Sequence, residues 1–188
     1  MMRNFAANNL DVTNAFYTHP KILITALNGP VIGLSAALIS LSDFIYATPH
    51  AFLLTPFTSL GLVAEGVSSY SLVQRLGISK ANEALIMSKR ITSEELERTG
   101  FVNKVFETSP GDCEGFMERV MREVRERLGD HLNAESLVKV KELIRKPYRR
   151  ELDRVNFEEV MGGVERFVKG APQKEFADVA SGRKRHKL

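Results

Sequence analysis

The stretch Lys21–Leu38, KILITALNGPVIGLSAAL, sets the architecture of the chain. Its first seven residues, Lys21 to Leu27, are rich in β-branched and aliphatic side chains. That length and composition predict a strand buried on both faces, as in parallel sheets. Asn28-Gly29-Pro30 is a strong turn signal. Gly33 to Leu41 (GLSAALISL) then reads as a short helix whose small residues allow close packing. Downstream, Asp43 leads into Phe44–Ala47, and after a break at Thr48-Pro49 into Ala51–Thr55, two further short strands. Pro56 to Val63 reads as a loop and Glu65-Gly66 as a junction. Val67 to Leu76 reads as a helix closed by Gly77. Upstream, residues 9–18 form a candidate helix with Leu10, Phe16 and Tyr17 as its apolar contacts.

Beyond Gly77 the pattern is helical over Ser79–Ser88 and Thr92–Arg98. The second of these carries a capping-box signature, Thr92 with Glu95 three residues on. Phe101 to Phe106 reads as a last strand. After Pro110-Gly111 the sequence is nearly all amphipathic helix. One apolar stripe runs through Met117, Val120, Met121, Val124 and Leu128. A second holds Leu137, Val140 and Ile144, and a third Phe157, Val160, Met161, Val164 and Val168. The chain therefore divides near residue 110 into an α/β core, 1–110, and a helical region, 111–188. Alternating strands and helices predict a layered α/β fold class.

Composition limits the function classes. The 188 residues are 44% hydrophobic and 26% charged, which is globular composition rather than that of a disordered tail or a rod. A single cysteine allows no internal disulfide, and no Cys/His cluster suggests zinc, so no metal is expected. No apolar run approaches the ~20 residues of a membrane span. Basic and acidic residues alternate along the helices despite a pI near 9.0, which reads as solvated faces rather than a nucleic-acid stripe. Charge is unevenly placed. The chain has 26 Lys and Arg and 23 Asp and Glu, yet Arg3, Asp11, Lys21, Asp43 and Glu65 are the only ones in the first 70 residues. That segment is expected to lie inside something.

Two places carry candidate chemistry. Asn28–Ser35 joins a strand to a helix, where free backbone N–H groups and the positive end of the helix dipole can hold a developing oxyanion. The same residues also read as an ordinary tight turn. Glu65 sits between apolar residues and a helix start. A carboxylate there is either partly desolvated, with raised proton affinity suited to shuttling protons, or a helix N-terminal Glu facing the dipole.

The order of these pieces resembles the crotonase (enoyl-CoA hydratase/isomerase) superfamily. The matching residues are KILITALNGPVIGLSAAL, Ser42–Ala47, Leu60-Gly61-Leu62, and Gly100–Val105, which is similar to the family's Gly-Leu-Val-Asn-x-Val. NGPVIGLSAAL and Val63–Gly66 look most like the fungal peroxisomal Δ3,Δ2-enoyl-CoA isomerases. The resemblance implies a crotonase-like spiral fold, incomplete at its N-terminus, with a C-terminal helical region. It implies an acyl-CoA substrate and no cofactor. It makes the Leu34 backbone N–H an oxyanion donor and Glu65 the base that takes a proton from C2 of a 3-enoyl-CoA and returns it at C4. Asn9 is an auxiliary polar residue by the same likeness, or else a helix N-cap. Gly33, Pro56, Phe57 and Leu62 would line the substrate site.

Where the resemblance places the two glutamates of hydratases, this chain has Ala37 and Phe57, which disfavours hydration. Dienoyl-CoA isomerases place an Asp where Glu65 sits and a second carboxylate at the Phe57 position; Phe57 speaks against that activity less firmly than against hydration, and it stays an alternative. The resemblance also puts a Ser-x-Gly-Ala-Asp-type turn, with the other oxyanion donor, ahead of residue 1. Hence a further alternative is a non-catalytic subunit, or a fragment of a longer protein. Family members form trimers and hexamers through their C-terminal helices, so a homo-oligomer, or a hetero-oligomer with full-length paralogues, is implied. The terminal His186-Lys187-Leu188 resembles a peroxisomal address, which implies an import receptor as partner and the peroxisome as location.

Overall fold

Two corners shape the α/β part of the chain. The computed structural model describes residues 2–185. Its elements are α1 (Met2–Tyr17), β1 (Ile24–Leu27), β2 (Val31–Ile32), α2 (Leu34–Ile39), β3 (Phe44–Ala47), β4 (Phe52–Leu54), α3 (Ser68–Leu76), α4 (Ile78–Leu85), β5 (Ile91–Thr92), α5 (Ser93–Arg98), β6 (Lys104–Val105), α6 (Cys113–Leu128), α7 (Ala134–Arg145), α8 (Arg149–Val168) and α9 (Ala171–Ala180). The first corner, at Asn28–Pro30, separates β1 from β2; the second, at residues 48–51, separates β3 from β4. β1 pairs in parallel with β3, Ile24 opposite Phe44 and Leu27 opposite Ala47. β2 pairs in parallel with β4, Val31 opposite Leu53. Each turn of chain thus gives one strand to each of two sheets, and successive turns stack as a spiral. β6 extends the first sheet, in the order β1-β3-β6, and β5 completes the second, in the order β2-β4-β5.

The space between the turns is filled by Leu27, Val31, Ala36, Ile45, Ala47, Leu53, Leu72, Ile91, Leu96, Phe101 and Val102. Small residues on α2 let that helix sink into the core; Ala36 and Ala37 are fully buried. The capping box at Thr92 forms as the sequence predicts, with both reciprocal bonds to Glu95. Asp43, at the start of β3, ties the spiral to α7. It accepts from Lys141 Nζ at 2.6 Å, Arg145 Nη2 at 3.0 Å and the Leu23 amide at 2.7 Å. Burial opposes its charge, but these three donors outweigh it and hold its carboxyl below the ordinary carboxylate value.

Several expectations need correction. β1 is not buried on both faces: it is an edge strand, and of its four residues only Leu27 is buried. The Phe101–Phe106 stretch pairs only at Lys104 and Val105, because Phe101 and Val102 turn directly into the core. β2 and β5 have two residues each, too short to show a period; the sequence assigns Val31-Ile32 to no element and reads Thr92 only as a helix start. The helix expected at residues 9–18 begins at Met2; of its expected apolar contacts Tyr17 is buried and Phe16 packs beside it, while the other buried positions are the polar Asn9 and Thr13.

The C-terminal stripes also face differently. Phe116 and Val120 of α6 point inward, while Met117 and Met121 are exposed. On α8 the inward face is Leu152, Val155, Asn156, Glu159, Val160 and Gly163. Phe157, Met161 and Val168 face out. The reason is a close approach by α1. A Cβ on Gly163 would lie 3.1 Å from Phe5 Cζ, so the small residue chooses the contacting face over the greasier one. Through this contact residues from both sides of position 110 share one core, as Tyr17, Leu41, Val67, Leu152 and Val155 do.

Candidate active site

The site begins at the first turn of α2. Gly33 precedes it with φ 67° and ψ −132°, and no side chain caps the helix. The Gly33 amide donates to the Leu54 carbonyl at 2.8 Å, which ties the turn to β4. Leu34 is the first helical residue, so its N–H has no acceptor within the helix. It is left pointing out of the helix end with the positive end of the dipole.

The 61–67 segment packs on that turn. Gly66 has φ 66°, and a Cβ there would lie 2.8 Å from Ala37 Cβ and 3.0 Å from Leu34 Cδ1. Only glycine allows this approach. Val67 follows with φ 56° although it is β-branched and fully buried, a conformation held by its surroundings. The consequence is that the Glu65-Gly66 backbone is held against the first turns of α2.

Glu65 is 7% exposed. Its Oε2 accepts from Asn9 Nδ2 of α1 at 3.2 Å. Burial raises its proton affinity above that of an ordinary carboxylate; the Asn9 bond opposes this and the nearby charge of Glu159 adds to it. Asn9 lies in the middle of α1, so it is no helix N-cap; its amide orients Glu65 instead. Asn9 is thus bonded to Glu65, and the adjacent Gly66 packs on the Leu34 side chain.

The remaining expected residues are placed less uniformly. Pro56 lines a cavity of about 230 Å³ with Ile32, Leu54, Ser59, Leu60, Val179 and Lys184, next to the Gly33 turn. Phe57 is 3% exposed and turned into the interior. The half-buried Leu62 is held to it by the Leu62 amide donating to the Phe57 carbonyl at 2.8 Å. Neither Phe57 nor Leu62 lines the cavity. A larger cavity, about 570 Å³, lies between the end of α1 and α7 and contains none of the expected site residues.

Glu159 was not anticipated. It sits on α8 and is 7% exposed, and its Oε1 accepts from the Ser69 amide at 2.8 Å. The one available signal was the pair of polar residues Asn156 and Glu159 interrupting the Leu152, Val155, Val160 face. Among the described residues no group of three or more His, Cys, Asp or Glu side chains is arranged to hold a metal, and no helix is long and apolar enough to cross a membrane. His186-Lys187-Leu188 lies outside the described residues.

A spiral of paired strands around a buried, Asn9-bonded glutamate defines the class of scaffold, and sequence relationships name the family. The chain matches the enoyl-CoA hydratase/isomerase family over residues 3–171, and it belongs to that family. It is 59% identical over 190 residues to a Pyricularia oryzae protein named Delta(3,5)-Delta(2,4)-dienoyl-CoA isomerase, covering all of this chain and 68% of that one. It is 36% identical over 186 residues to the 3,2-trans-enoyl-CoA isomerase of Saccharomyces cerevisiae, covering 98% of this chain and 66% of that one. An enoyl-CoA hydratase crystal structure from Mycobacterium avium subsp. paratuberculosis K-10 superposes with a TM-score of 0.86 over all of this chain and 73% of that one. At 19% identity this likeness shows the fold alone. The crotonase fold implied by the sequence is the fold found. The chain spans about two thirds of the length of these two relatives.

Proposed function

We propose that the protein is a Δ3,Δ2-enoyl-CoA isomerase in which Glu65 takes a proton from C2 of the acyl chain and returns it at C4. The observation that carries this reading is a buried carboxylate oriented by Asn9, on a turn that Gly66 packs against the uncapped helix α2. Removal of the C2 proton leaves a dienolate with negative charge on the thioester oxygen, and the Leu34 N–H faces that charge. The double bond moves as the proton returns at C4; no water is consumed. Ala37 and Phe57 support isomerisation over hydration. Both are buried apolar residues, so neither position supplies a second carboxylate.

A second reading, a Δ3,5,Δ2,4-dienoyl-CoA isomerase, is favoured by the name of the 59% identical relative. The experiment is to offer the purified full chain both substrates, beside Glu65→Gln. Turnover of the 3-enoyl-CoA with a kcat loss of about 10²–10⁴ in Glu65→Gln is expected. Turnover of the dienoyl substrate alone selects the second reading. Equal rates for Glu65→Gln and wild type remove Glu65 as the base. Turnover of neither substrate, with co-purification of a longer paralogue, selects a non-catalytic subunit. The exposed Phe157, Met161, Val168 and Phe176 support self-assembly, which sedimentation measures. The C-terminal tripeptide supports a peroxisomal location, which a reporter with and without it reads.

A further inference from the structure

We propose that Glu159 is a positioning residue for Glu65, acting through the turn of residues 65–69 and through Asn9. The inference rests on the reading of Glu65 as the base. Glu159 Oε1 accepts from the Ser69 amide at 2.8 Å, next to the Val67 and Ser68 amides of the same helix start. These amides open α3 and follow directly on Glu65-Gly66. Glu159 therefore clamps the far side of the same strained turn that Gly66 presses onto α2.

The helix register brings Asn9 to the same level. Phe5 touches Gly163, Asn156 Nδ2 donates to the Leu10 carbonyl at 3.1 Å, and Tyr17 OH donates to Asp153 Oδ1 at 2.7 Å. Numbers rise along α1 as they fall along α8, so the two helices run antiparallel and Asn9 lies opposite Glu159. Asn9 Nδ2 reaches Glu65. Asn9 Oδ1 and Glu159 Oε2 are buried, with no hydrogen-bond partner among the described residues.

The charges around the pair are few. α2 carries none, and Asp11 on α1 and Glu158 on α8 are exposed to solvent. Arg166 on α8 is committed to the Gly61 carbonyl at 3.0 Å. Glu159, on the α8 face that packs on α1, is thus the charge near enough to act on Glu65. Burial raises the proton affinity of Glu159 as it does that of Glu65, but at Glu159 the Ser69 amide and the positive end of α3 oppose this. The like charge makes Glu65 a stronger base than burial alone would.

The test follows the side-chain carboxyl of Glu65 by ¹³C NMR through a pH titration of the full chain, with the signal assigned from Glu65→Gln. Glu159→Gln keeps an acceptor for the amides but loses the charge, and the Glu65 midpoint should move to lower pH. Glu159→Asp keeps the charge, and the midpoint should stay with wild type. Glu159→Ala should also lower kcat about 10- to 100-fold with little change in KM, as the turn loosens. Superimposed Glu65 titrations in wild type and Glu159→Gln, with only the melting temperature lowered, would reduce Glu159 to a helix cap and overturn the proposal. A moved midpoint in a chain that turns over neither substrate would instead remove the isomerase reading and leave the coupling standing.

Discussion

Gly66→Ala tests the contact on which the site depends. The substitution adds one methyl group at a residue with φ 66°, where it would meet Ala37 Cβ at 2.8 Å and Leu34 Cδ1 at 3.0 Å. A left-handed backbone costs an L-residue about 1–2 kcal/mol. Loss of glycine's freedom in the unfolded chain returns about 0.4–1 kcal/mol of that. Overpacking against two buried side chains adds about 1–3 kcal/mol. The expected destabilisation is therefore about 2–4 kcal/mol. Gly170→Ala is the matched control. Gly170 has φ 74° and ψ 8°, and a Cβ there meets nothing within 4 Å. It carries the backbone cost without the clash, and about 0.5–1 kcal/mol is expected. Urea unfolding followed by far-UV circular dichroism measures both, since the chain has no tryptophan. If the two variants lose the same stability, the close approach of the Glu65 turn to α2 is wrong, and with it the geometry of the site.

The ionised groups give two further predictions. Asp43→Asn strands Lys141 and Arg145 and should cost about 2–4 kcal/mol at pH 7. Because the Asp43 carboxyl is held below its ordinary value, its contribution is present above that value and is lost as pH falls through the folded-state one. Unfolding curves of wild type and variant should therefore converge in acid, and a gap that persists there refutes the ion-pair account. Glu65→Gln should stabilise the fold by about 1 kcal/mol at neutral pH while impairing turnover, as buried catalytic charges do. Glu65 has a raised proton affinity, so the native state binds the extra proton, and wild-type stability declines as pH rises from 4.5 through the folded-state value. The gain from Gln should open over that window and vanish below it; a constant gain at all pH values would contradict the burial of the charge.

The features legible in the sequence were those set by a few neighbouring residues. Asn28-Gly29-Pro30 marks the first corner, the small residues after Gly33 mark a helix that packs closely, and Thr92 with Glu95 marks a helix start. Glu65 stood out as the lone glutamate of a charge-poor segment, and the resemblance attached Asn9 and Leu34 to it. What was not legible involved choices between partners. α8 offers apolar residues around much of its circumference, and periodicity alone favoured the Phe157–Val168 stripe. The contact with α1 instead uses the face with Gly163, because close approach needs a missing side chain. β2 and β5 exist as strands only because β4 lies between them.

Sequence by itself determined the local grammar of this protein: where strands end, where helices start, and which residues carry chemistry of the right kind. Those properties follow from sterics and capping within a few residues. Tertiary structure alone decided that Asn9 would bond Glu65, that Glu159 would hold the next turn, and that Phe57 would face inward. These depend on which faces meet after the spiral closes and α1 settles on α8. A carboxylate's proton affinity is set by that burial and by the charges brought near it, and no short stretch of sequence contains either.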